Sequence, residues 1–108
     1  MSLGYAWEKM YIAVLGMAAS PAALRKRIAD AYTGSIIRLV HPEAGDDLPD
    51  DLKPMLAEIK AAMETTQPVG NEGTAMASAL AMTDAQAEDV ARKITRLFDE
   101  VQSRYWMR

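Results

Sequence analysis

A chain of 108 residues with 15 acidic and 12 basic side chains has room for one hydrophobic core, since a chain of this size buries roughly 65% of its unfolded surface. Its net charge of -3 at pH 7 works against a nonspecific polyanion binder, whose affinity comes from Lys and Arg displacing counterions, and the absence of cysteine excludes disulfides, thiolate nucleophiles and Cys-ligated metals. Half of the residues are hydrophobic, but 19 are alanine, against 28 Leu, Ile, Val and Met and seven aromatics; alanine adds little apolar area, so a thin core is expected, completed by a second copy or a partner.

Trp7, Met10, Tyr11, Val14, Leu15 and Met17 follow the spacing of one helical face and predict a first helix from about Tyr5 to Ala18. Only Glu8 and Lys9 are charged within it, so this helix is expected to be the most enclosed element or the one that faces another chain. The apolar run from Met10 to Ala19 falls well short of the ~20 residues that cross a bilayer. Glu8 beside Lys9 denies it the positive flank of a secretory leader. A cytoplasmic protein with no membrane partner is the expectation.

Ser20 followed by Pro21 has the chemistry of a helix start. A second helix is predicted from there to about Val40, with Leu24, Ile28, Ala31, Tyr32, Ser35 and Leu39 inward, and with Pro42 turning His41 out of helical geometry. Gly34 interrupts it at a cost of about 1 kcal/mol relative to alanine, which points to a close helix crossing or to a local weakness. Glu43, Gly45, Asp46 and Asp47 form a polar loop. A third helix opens at Pro49 with Asp50 and Asp51 against its dipole, an irregular first turn up to Pro54, and a stripe of Leu52, Met55, Leu56, Ile59, Ala62 and Met63.

Pro68, Gly70, Asn71 and Gly73 break the chain between Gln67 and Thr74. A short helix is predicted over Thr74 to Ala81, followed by a capping box of Thr83 and Gln86. That box opens the last helix, striped by Ala87, Val90, Ala91, Ile94, Leu97, Phe98 and Val101, with Glu88–Arg92, Asp89–Lys93 and Arg96–Glu100 pairs outside. No segment alternates like a strand. The expected architecture is all-α: residues 1–108 as a single domain, an up-and-down bundle of four longer helices plus one short helix.

Arg27, Asp30, Gly34, Arg38 and His41 share a flank of an ideal second helix. Two guanidiniums there suit a small anion or a nucleotide; the competing reading is a solvated face with Asp30 paired to Lys26 or Arg27. The acidic group Glu43, Asp46, Asp47, Asp50 and Asp51 lacks the order of a calcium loop and reads as a helix N-terminus, so no metal is expected. The turn at Met82 to Asp84 invites comparison with a helix-turn-helix, but Asp84, Glu88 and Asp89 oppose DNA where a recognition helix needs donors. No nucleophile lies beside a base, and there is no glycine-rich phosphate loop or His pair, so neither catalytic residues nor a cofactor are expected.

Trp7, Met10 and Tyr11 on the first helix, Met76 and Leu80 beside Met82, and Tyr105 and Trp106, with Met107, between Arg104 and Arg108 are the candidate interface residues. The expected function is non-catalytic: a small helical bundle acting as a homodimer or through a protein partner. An anion-binding or nucleotide-binding regulatory module on the Arg27, Asp30, Arg38 and His41 flank is the alternative, and a DNA-binding regulator the third reading.

Overall fold

Helix is the only regular structure among residues 3–40 and 48–107, the part of the chain that the computed structural model describes. Helix α1 spans Gly4–Ala19. Helix α2 (Leu24–Ala31) runs through a π-helical turn (Tyr32–Ile36) into α3 (Ile37–Val40), making one continuous helical segment. A 3-10 turn (Asp50–Leu52) leads into α4 (Lys53–Met63), the short α5 (Gly73–Leu80) follows, and α6 (Asp84–Trp106) ends the bundle. The architecture is thus an all-α bundle of four longer helical segments and one short helix, as the periodicity predicts.

Local chemistry sets most of the boundaries. Thr83 Oγ1 accepts from the Gln86 amide while the Gln86 side chain accepts from the Thr83 amide, so both halves of the capping box open α6. Pro54 sits in the first turn of α4, after the irregular 3-10 start, where its missing N–H costs nothing. The predicted start at Ser20 is corrected: Ser20 caps the end of α1, its Oγ accepting from the Ala22 amide, and α2 begins only at Leu24. Of the three predicted outer pairs on α6, Glu88–Arg92 and Asp89–Lys93 form, whereas Glu100 turns to Arg104 instead of Arg96.

Gly34 lies in the π turn, and a Cβ built on it would meet nothing within 4 Å. No close helix crossing explains this glycine. It sits where the helix loosens its winding, and Ser35 beside it donates to the Lys9 carbonyl of α1 at 2.9 Å. A π turn inserts about one extra residue, rotating everything after it by ~100° relative to an ideal helix.

Buried side chains run through every longer helix: Met10 and Met17 from α1, Ile28, Tyr32, Ile36 and Leu39 from the second segment, Leu56, Ile59 and Met63 from α4, and Val90, Ile94, Leu97 and Val101 from α6. Helix α1 packs chiefly on α6 and α2, α4 runs along α6, and α5 packs on α2 and α4. The radius of gyration, 13.3 Å, matches the ~13 Å of a compact chain this long.

Candidate functional site

Helix α1 meets the core through small and flexible residues. Ala6, Met10, Ala13 and Met17 are its buried set, and alanine at every second contact lets neighbouring backbones approach closely. The larger residues are displaced outward: Tyr5 is 40% exposed, Tyr11 43%, Ile12 46% and Leu15 51%. The expectation of α1 as the most enclosed element is therefore corrected, because its bulkiest side chains surround the buried face instead of forming it. Tyr5, Glu8, Ile12, Leu15 and Ala19 repeat at spacings of three and four, the pattern of a helix seam that expects another helix.

Along one edge of this face, α1 and α6 run antiparallel and hold an aromatic ladder. Trp7 stacks between Tyr11 and Tyr105 at centroid distances of 5.2 and 5.4 Å. Trp106 meets Trp7 edge-on at 5.9 Å and Tyr105 at 5.0 Å, while Tyr11 tilts over Phe98 at 6.5 Å. The Trp7 indole N–H donates to Gln102 Oε1 at 3.4 Å. Such pairs are worth ~0.5–1.5 kcal/mol each beyond their buried area, so the ladder fixes the α1–α6 register. Beyond it Trp106 and Met107 stand 65% and 83% exposed. At the other end of the seam a shallow, open groove of about 610 Å³ runs along α6 beside Val14 of α1, with half-buried Val14, Ala91 and Phe98 and exposed Arg92, Thr95, Arg96 and Asp99 lining it.

Of the residues singled out from sequence, Trp7, Tyr11, Tyr105 and Trp106 come together here. Met10 does not reach this surface: it is fully buried and supports the face from beneath. Leu80 is 62% exposed and Met76 half-buried, on α5, whose main packing is against α2 and α4 and not along the α1–α6 seam. Met107, expected in the tail patch, is exposed here, and Tyr5, Ile12 and Leu15 join the surface although they are not among the expected interface residues; their three-four repeat along α1 is the signal that could have found them.

Two members of the polar flank of the second helix have partners of their own. The Arg27 guanidinium donates to the Met17 carbonyl at the end of α1, 3.1 Å away, and Asp30 takes an ion pair from Lys26 at 2.7 Å. Arg38 is exposed and lies beyond the π turn; His41 lies outside the described residues. Glu43, Asp46 and Asp47 are also outside them, while Asp50 pairs with Lys53 and Asp51 with Arg104. Among the described residues no three His, Asp or Glu side chains converge on a metal position, and no helix is long and apolar enough to cross a membrane.

The turn before α6 is held by a residue that sequence spacing does not reveal. Arg25 Nε donates to the Met82 carbonyl at 2.8 Å, and its terminal nitrogen pairs with Asp84 at 2.8 Å. This clamp ties the acidic start of α6 to α2, in place of the donors a DNA-reading helix presents.

Fold and surface together define the class: a small all-α bundle with an apolar, aromatic-edged helix face. Comparisons with protein-family models, curated proteins and solved structures give no match.

Proposed function

We propose that this protein acts by association, without catalysis, and that the α1–α6 face is where it binds another polypeptide. One observation carries the reading: Tyr5, Tyr11, Ile12 and Leu15 on α1, continued by Trp106 and Met107, are each at least 40% exposed on a helix whose opposite side already fills the core. Contiguous apolar surface beyond a few hundred Å² is rare on monomeric proteins and marks contact sites. Aromatics with arginine at the rim, as Arg92 and Arg96 stand here, are the composition of interface centres. A cytoplasmic setting belongs to the same reading.

The test replaces Ile12 and Leu15 together by glutamate. Both are about half exposed, so folding stability should change by less than ~1 kcal/mol, while association, followed by light scattering of the pure protein and by cross-linking in cells, should be lost. Association unaltered by both charges in both measurements overturns the reading, and cell fractionation tests the cytoplasmic setting.

A further inference from the structure

We propose that a second copy of this chain covers the α1–α6 face, each copy inserting its Trp106 into the open groove of the other. The inference rests on the associating face described above and specifies its occupant.

Knob and groove lie on one side of the molecule. Arg92, Thr95, Asp99 and Trp106 follow one another on α6 at intervals of three, four and seven residues, which places them on a common stripe. Trp106 projects from one end of that stripe, and the groove lined by Val14, Ala91, Thr95 and Phe98 opens at the other. Thr95 and Trp106 are ~16 Å apart along the helix axis at 1.5 Å per residue.

A twofold axis crossing the seam beside Tyr11 exchanges those two ends. It carries the partner's Trp106 over this groove and, by the same operation, this Trp106 over the partner's groove, so the contact is self-complementary and closed. The rotation also sets the bulky Tyr5 end of one α1 against the small end of the other, where Gly16, Ala18 and Ala19 are exposed and a Cβ on Gly16 would meet nothing within 4 Å.

Chemistry and area agree with that arrangement. The half-buried lining of the groove, Val14, Ala91 and Phe98, is apolar, and the Thr95 hydroxyl is spent on the Ala91 carbonyl at 2.9 Å. Arg96 at the rim has no ion pair among the described residues and is free to lie on an indole face, as guanidiniums favour. The exposed parts of Tyr5, Tyr11, Ile12, Leu15, Trp106 and Met107 amount to roughly 700 Å², close to the ~800 Å² per partner of a standard stable interface.

Sedimentation equilibrium on the full chain decides the matter, with wild type, Trp106→Ala, Thr95→Arg and a one-to-one mixture of the two variants. Each variant dimer lacks both knob-and-groove contacts, so its dimerisation should weaken by about 100-fold or more relative to wild type. The mixture should regain dimer, because a heterodimer restores one contact between the knob of Thr95→Arg and the free groove of Trp106→Ala. Helical circular dichroism checks the fold, and Trp106→Gln or Thr95→Lys replaces a variant that fails it. A monomeric wild type at high micromolar concentration, variants that dimerise like wild type, or a mixture no better than its components overturns the proposal. The first result leaves the associating face itself to be judged by the Ile12 and Leu15 charges in cells, so the two ideas fail separately.

Discussion

Ser78 shows how one hydroxyl holds a chain reversal together. It is 1% exposed on α5, and its Oγ accepts from the amides of Thr65 and Thr66, each at 3.0 Å. Those amides belong to the second and third residues after α4 ends at Met63, where the chain has left the helical path and its amides need partners outside the helix. Ser78→Ala keeps the size and the helix propensity but strands two donors, so a loss of about 1–3 kcal/mol is expected. Urea denaturation should show it as a lower midpoint at unchanged slope; a loss under ~0.5 kcal/mol would mean that water satisfies both amides. Nothing in the sequence marks Ser78, since a serine in an alanine-rich helix reads as filler, and its partners lie 12 and 13 residues away. Arg25 escaped notice for the same reason, its acceptor being 57 residues distant.

At the scale of elements, periodicity reports which face of a helix is apolar but not which apolar residues are small enough to go inside. Helix α6 was legible because its large residues and its buried residues coincide: Val90, Ile94, Leu97 and Val101. In α1 they do not. The sequence pattern favours Trp7, Tyr11 and Leu15, yet Ala6 and Ala13 occupy the core, because close packing of helices rewards short side chains at the crossing. In the second segment the residues expected inward, Ile28, Ala31, Tyr32, Ser35 and Leu39, are buried, and what an ideal rotation of 100° per residue cannot anticipate is the π turn at Tyr32–Ile36. Gly34 makes this testable. Among the described residues the only positive φ belongs to Gly73, at 83°, so Gly34 uses none of glycine's special freedom, and its Cβ would enter open space. Gly34→Ala should therefore stabilise the protein by about 0.5–1 kcal/mol through a less disordered unfolded chain. Thermal melting reads the change, and a lower melting temperature would show that the π turn itself requires glycine.

For the whole molecule, the polar contacts that tie separate helices together set how stability responds to acid. Arg104 of α6 forks onto both carboxylate oxygens of Asp51 at 2.7 Å, and this holds the Asp51 carboxyl below its ordinary range. The Tyr32 hydroxyl donates to Glu64 at 2.9 Å, with Lys60 alongside; the hydroxyl is the main cause of a lowered Glu64 carboxyl, and burial together with that carboxylate pushes the Tyr32 phenol up. A carboxyl depressed in the folded state binds fewer protons there than in the unfolded chain, so its contribution is complete above the ordinary carboxylate range near pH 4 and is lost as pH falls through the folded value. A raised phenol has the opposite sense: its contribution is complete below about pH 10 and is lost as pH rises through the folded value. Asp51 is 65% and Glu64 36% exposed, so salt screens them and the acid effect is modest. Urea midpoints should be level between about pH 6 and 8, decline below about pH 4, and decline again above about pH 10. Asp51→Asn combined with Glu64→Gln should flatten the acid limb, and Tyr32→Phe the alkaline one. An acid limb of full steepness in the double variant would place the titrating groups elsewhere, and the Tyr32–Glu64 and Asp51–Arg104 ties would then be contacts of geometry without weight in the stability of the bundle.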